Sequence, residues 1–440
     1  MNIGRYRGNQ PPMRADGWLR GLSLLVVPAC VAGGPDEAPV DAAVLDGPGP
    51  DAAAIDAAAI DARPVDAATD GTPIDGAPVQ ALPRLTLDPT FSGDGSVRFG
   101  QGYPGAITGA GTRFGTCAVA THWFDDITYW DSVVAYRTTP GLTEDLYAIA
   151  PATPTTGRIT CPATVLRDDD QAVSAFVYLD GHVELRRRDV AGTLHAAVAP
   201  PQAGPVRDMI AVAGGRVLVI FDADAWLLDA QLAPVPTFGV GGHIAFPGPI
   251  RRVSRPATAA PRVDLVTDLA VRRIDPATGA LDAGFGVGGV AALPAVLALR
   301  GVAIRPGGGE LLVGVGAGYE ISAAGAVTAV TLPAIDARAV IDDRAGGAYL
   351  ISHPATYAIA LTITRIAPDG PASWGAAPSE SIAPPDLCPI DTPNCGEWMR
   401  DVRAAWTDNG RLGLWFENHD GHTGDFVQGH LPQLLVLTRE

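Results

Sequence analysis

Leu87-Asp88-Pro89-Thr90-Phe91-Ser92-Gly93-Asp94-Gly95, Thr237-Phe238-Gly239-Val240-Gly241-Gly242 and Leu281-Asp282-Ala283-Gly284-Phe285-Gly286-Val287-Gly288-Gly289 carry one pattern three times. In each, a single aromatic residue is followed by closely spaced glycines, the residues that enter tight turns and left-handed backbone without steric cost. Phe238 and Phe285 are 47 residues apart, and Phe91 lies 147 before Phe238, close to three such periods. A second element recurs as a glycine turn feeding an apolar strand: Gly214-Gly215-Arg216-Val217-Leu218-Val219, Gly308-Gly309-Glu310-Leu311-Leu312-Val313, Gly346-Gly347-Ala348-Tyr349-Leu350-Ile351 and Asn409-Gly410-Arg411-Leu412-Gly413-Leu414. A third, an arginine-bearing strand running into a turn, is seen at Val271-Arg272-Arg273-Ile274-Asp275-Pro276 and Ile363-Thr364-Arg365-Ile366-Ala367-Pro368, with a weaker copy at Leu185-Arg186-Arg187-Arg188-Asp189.

A repeat of 40 to 50 residues containing about four short strands is the size of a propeller blade. One four-stranded sheet cannot bury both faces, so neighbours must stack around an axis. The expected fold is therefore all-β, a β-propeller of about seven four-stranded blades within 83–440, with an array of β-sandwich domains as the alternative. Ser96 to Phe99 are placed to pair with the last strand, Gln433 to Thr438. That pairing would close the ring and remove two edges that invite aggregation.

The 82 residues before this domain read differently. Arg14 and Arg20 precede a short apolar run, Leu22 to Val27, and then Val27-Pro28-Ala29-Cys30. This resembles the lipobox of bacterial lipoproteins, which implies a signal peptide over 1–30 and acylation at Cys30. Several acyl chains together hold a protein stably at a membrane; ordinary secretion is the competing expectation. From Asp36 to Asp66 an aspartate recurs every five residues, a period that fits neither helix nor strand. With its prolines and self-repelling charge, 31–82 is expected to be a disordered tether.

The Leu-Asp-Pro-Thr-Phe-Ser-Gly-Asp-Gly stretch resembles the delta-60 repeat, a propeller-type repeat of bacterial surface proteins. The aspartate-alanine tether after a lipobox is similar to that of predicted lipoproteins of myxobacteria. The resemblance implies an exported propeller and carries no catalytic residues with it.

Composition removes several function classes. The net charge of −17 argues against nucleic acid, whose phosphates need lysine and arginine. All 31 basic residues are arginine, so chemistry that depends on a Schiff-base or phosphate-loop lysine is excluded. The sequence has no Gly-x-Ser-x-Gly elbow and no His-Glu-x-x-His. Beyond Cys30 four cysteines are left, an even number that suits an oxidising compartment. Cys388 with Cys395 and Cys117 with Cys161 are the disulfide candidates.

Two local clusters are candidate sites. Glu417, His419, Asp420, His422 and Asp425 could hold a divalent cation, or form a polar hairpin tip. Trp123, Asp125, Asp126, Tyr129 and Trp130 could bind a sugar or a cation, or be packed aromatics beside solvated acids. No other cofactor is implied. The sequence thus points to a monomeric, surface-anchored binding or scaffold module for an extracellular protein or glycan, touching the membrane through its lipid alone. The alternative is an exported hydrolase or lyase acting on an extracellular polymer through acids at the propeller channel.

Overall fold

The computed structural model describes residues 84–439 apart from 92–94, 99–102, 122–127, 138–154, 157–159, 170, 179, 190–192, 201–203, 257, 259, 353–359, 371, 384–397 and 422–427. The signal, Cys30, the tether, Cys388 and Cys395 lie outside the described residues. Within them are thirty strands, β1 to β30 in chain order, and no helix.

Four sheets are four-stranded meanders, β3 to β6, β7 to β10, β11 to β14 and β15 to β18. A nine-stranded sheet resolves into two further meanders, β19 to β22 and β23 to β26, with β27 beside β25; a single parallel bridge, Thr331 to Ser373, joins the two. The last sheet takes β28, β29 and β30 from the C-terminus and β1 and β2 from the other end of the domain. Seven four-stranded units result.

The first strand of each unit is innermost. These are β3 (Tyr103–Ala110), β7 (Thr160–Leu166), β11 (Val206–Val212), β15 (Arg252–Ser254), β19 (Gly301–Ile304), β23 (Ala339–Asp342) and β28 (Trp398–Trp406). Each touches the next, and β28 touches β3, so the ring is closed and the chain is a β-propeller. A row of sandwich domains would leave the first and last units apart. The glycine-turn element of the sequence feeds the second strand of its unit each time: β12 (Arg216–Phe221), β20 (Glu310–Val313), β24 (Ala348–Ser352) and β29 (Leu412–Gly421).

Closure occurs where the sequence places it. Ser96, Val97 and Arg98 pair with Leu435, Leu434 and Gln433 of β30 (Gln428–Arg439), and Leu85 to Leu87 pair with its far end. The Phe-Gly phrase between β1 and β2 therefore interrupts the outermost strand of the last blade. Its two other copies do the same in the third and fourth blades, and the local hydrogen bonds repeat. Gly95, Gly242 and Gly289 each donate from the backbone to the carbonyl of the phrase's phenylalanine, at 2.8, 3.0 and 2.9 Å. Phe91, Phe238 and Phe285 are buried.

The two later copies also hold blade to blade. Gly239 and Gly286 donate to Thr278 and Ala324 of the following blades. Both have φ of +54°, and a Cβ on either would meet a backbone carbonyl oxygen at 2.2 or 2.1 Å, so glycine is required there. The arginine of the third repeated element has a matching role. Arg187 donates to the Ala230 carbonyl of the next blade, and Arg273 to that of Ala323 at 2.8 Å. Arg273 is fully buried over the ring of Phe285 and grips Asp264 with two hydrogen bonds of 2.8 and 2.7 Å. A disulfide between Cys117 on β4 (Arg113–Thr121) and Cys161 on β7 ties the first blade to the second.

Candidate functional site: the arginine-lined channel mouth

Ring closure leaves an axial channel, present as two cavities of about 730 and 740 Å³ that share Asp208, Val253, Val302 and Val340 as a common wall. The first cavity opens where the innermost strands begin. Six arginines line it, Arg207, Arg251, Arg252, Arg300, Arg338 and Arg403, with Asp208 as the lining acid.

Three of those arginines occupy one repeated position. Arg251, Arg300 and Arg338 each donate their backbone N–H to a carbonyl in the last two residues of the next strand, that of Val266, Val313 and Ile351, at 2.7, 2.7 and 2.8 Å. Each opens an Arg-x-Val triplet: Arg251-Arg252-Val253, Arg300-Gly301-Val302 and Arg338-Ala339-Val340. The valine falls opposite Leu265, Leu312 and Leu350. In this way β-pairing fixes an arginine at the rim and a valine at the waist in three successive blades.

The third blade departs from that rule. Val206 pairs with Phe221 and Asp208 with Ile220, and the register shifts between them. Arg207 is thus an extra residue, as in a β-bulge, a device that re-aims neighbouring side chains. The shift puts Asp208 where the next three blades have valine.

Salt bridges fasten the outer sides of four rim arginines. Arg207 pairs with Asp222, and Arg251 with Asp268 through two hydrogen bonds of 2.8 Å. Asp336 lies 2.9 Å from Arg300 and 3.9 Å from Arg338. Arg403 donates to the Pro162 carbonyl at 3.3 Å. Arg252 is different: its guanidinium donates to the carbonyls of Arg251 and Arg300, at 2.9 and 3.4 Å, and has no carboxylate partner among the described residues. Burial, and then the charges of Arg207 and Arg300, push its pKa below the ordinary arginine value. The mouth therefore gathers six guanidinium groups against four carboxylates in a chain whose net charge is −17.

At the waist, Asp208 accepts the Met209 N–H at 2.7 Å on Oδ1. Its Oδ2 has no hydrogen-bond partner among the described residues. Burial raises its pKa above the usual carboxylate range, opposed by Arg255, the Met209 N–H and Arg403. Chemically, the arrangement is a positively charged rim above an apolar waist that carries one hydrogen-bond acceptor.

The clusters singled out from sequence lie elsewhere. Glu417 is buried on β29, and His419 and Asp420 are in the same strand, opposite His430 and Gly429 of β30. The side chains of His419 and Asp420, and all of His422 and Asp425, lie outside the described residues. Tyr129 and Trp130 belong to β5 (Thr128–Arg137), their side chains again outside, as are Trp123, Asp125 and Asp126 altogether. Sequence reasoning passed over the rim arginines because they are far apart in the chain. The Arg-x-Val triplet recurring at 251–253, 300–302 and 338–340 was the signal that would have found them.

No protein-family model matches the chain, and no curated protein matches it. Among solved structures it is similar to a catalytically inactive virginiamycin B lyase from Staphylococcus aureus with quinupristin, at 10% identity and a TM-score of 0.46, covering 81% of this chain and 100% of that one. It is also similar to the β-propeller domain of the Trilobed protease from Pyrococcus furiosus, at 10% identity and a TM-score of 0.40, covering 78% and 95%.

Proposed function

We propose that this protein is an exported, surface-anchored β-propeller that binds an anionic ligand at the arginine-lined mouth of its channel. The carrying observation is Arg252, a guanidinium at the mouth that has no carboxylate partner among the described residues and stands beside two more cations. An anion entering there supplies what the site lacks, and the rim's field favours its approach. Export and anchoring are supported by the signal-like N-terminus and by the lipobox-like Val27-Pro28-Ala29-Cys30. The Cys117–Cys161 disulfide suits an oxidising compartment.

Isothermal titration of the full chain with a heparin-derived hexasaccharide tests the reading. Binding should weaken as salt rises, through screening of the rim charges. Replacing Arg252 with Ala should cost about 1.5 to 3 kcal/mol, the scale of a hydrogen bond to a charged group, or roughly 10- to 100-fold in Kd. Heparin affinity unchanged in the double variant Arg252→Ala, Arg300→Ala would remove the anion site.

A further inference from the structure

From the pairing of an open carboxylate with an open guanidinium we infer that the ligand is a polyhydroxylated acid, a uronic-acid sugar, entering the channel with its carboxylate on Arg252 and a ring hydroxyl on Asp208. The inference rests on the anion-binding reading above and adds the chemistry of the ligand. Its first support is placement. Arg252 and Val253 are consecutive on β15, Asp208 stands on the neighbouring inner strand, β11, and its register position matches that of Val253. Both residues line the first cavity, Arg252 at its rim and Asp208 at its waist, so one ligand seated there faces both groups.

The second support is substitution within the repeat. Val253, Val302 and Val340 show that valine satisfies the packing at this position in three blades, so an aspartate brought there by a register shift is not needed to build the wall. Oδ1 is occupied by the Met209 N–H, whereas Oδ2 is available to accept a hydrogen bond from a ligand.

The third support discriminates between donors. An ammonium group would also suit a carboxylate, but Arg255 and Arg403 both act on Asp208 electrostatically and would repel it. A neutral hydroxyl meets no such penalty. Inorganic sulfate, which carries no hydrogen-bond donor, has nothing to offer the Asp208 oxygen at the waist.

The test is titration of the full chain with trigalacturonate and, separately, with sodium sulfate. Replacing Asp208 with Val, the residue of the neighbouring blades, should weaken trigalacturonate binding about 10- to 100-fold, the loss of a hydrogen bond to a charged group. Sulfate binding should stay the same or strengthen. Asp208→Asn keeps an acceptor oxygen and the shape, so it should weaken trigalacturonate less; it also serves if the valine variant folds poorly. If both variants bind trigalacturonate as the parent does while Arg252→Ala abolishes binding, the sugar-acid assignment is wrong and the anion site stands. If Arg252→Ala changes neither ligand, the anion site itself is wrong.

Discussion

Removing residues 1–100 should open the ring, and the size of the effect can be worked from what β1 and β2 cover. A chain starting at Gln101 lacks Leu85 and Phe91, which are 3% and 4% exposed in the intact domain. At about 1.5 to 3 kcal/mol for each large apolar side chain returned to water, their loss costs roughly 3 to 6 kcal/mol. It also removes the Asp88–Arg411 ion pair of 2.7 Å and the buried hydrogen bond of 2.7 Å from Gln433 to Ser96. Whole domains are stable by only about 5 to 15 kcal/mol, so this is a large fraction. At roughly 2 to 4 °C per kcal/mol the transition should fall by about 6 to 24 °C. The outward edge of β30, including Leu434, Leu435 and Leu437, would be left open to pairing with other molecules. The control is a chain starting at Arg84, which keeps β1 and β2. Circular dichroism melts and size-exclusion chromatography should show a cooperative monomer for the control and an early-melting, self-associating species for the shorter chain. If the chain starting at Gln101 melts within 2 to 3 °C of the control and elutes as a monomer, the closing strands contribute little. The account of the repeat phrase as a closure device would then fail.

Two further outcomes follow from the described contacts. Replacing Cys117 and Cys161 with Ser should lower unfolding free energy in urea by about 3 to 4 kcal/mol, since the cross-link closes a loop of 44 residues; parent and variant should then differ little under reducing conditions. Glu310 is buried against Ser254 and Asp264, and burial first and the Asp264 charge second push its pKa well above 4.5. The folded state therefore holds that proton more tightly than the unfolded chain does. Its stabilising contribution is full below about pH 4.5 and is lost as pH rises toward the folded value. Glu310→Gln, neutral throughout, should match the parent near pH 4.5 and exceed it at pH 8 by about 1 kcal/mol or more in urea melts; a parent equally stable at both pH values would contradict this.

Fold and site were legible in the sequence to different degrees, for a physical reason. The glycines of the Phe-Gly phrase are demanded by local backbone geometry, so reading Gly239 and Gly286 as turn residues needs no knowledge of distant neighbours. The closing pair, Ser96 to Arg98 with Gln433 to Leu435, was visible because the last strand lacked a sequential partner. The site follows from ring closure, which brings residues such as Arg207 and Arg403 to one opening. Local density drew attention to Trp123 through Trp130 and to Glu417 through Asp425, whereas the rim arginines are dispersed one or two per blade. Asp208 was harder still: its equivalence to Val253 appears only after the register shift at Arg207 is counted, and a shift of one residue leaves no mark in composition.

The exclusive use of arginine bears directly on how an acidic propeller can keep a cationic mouth. Arg251 commits Nε–H and one Nη2–H to Asp268. A guanidinium offers five N–H donors in a fixed plane, so three are left after the pair is made. A lysine engaged by the same aspartate would hold a point charge on a flexible stem, and its ammonium would be less pre-organised toward a second partner. Each paired rim arginine can thus be held rigid by its aspartate on one side and present donors to the channel on the other. The paired aspartates offset the mutual repulsion that would otherwise oppose gathering so many cations at one opening. Arg252 has no such counter-charge among the described residues, and it stands beside the blade whose waist residue is Asp208. The mouth is therefore asymmetric around its axis, with an anchoring charge and an accepting oxygen on adjacent strands, and that asymmetry can orient a ligand where a uniform ring of paired arginines would only attract one.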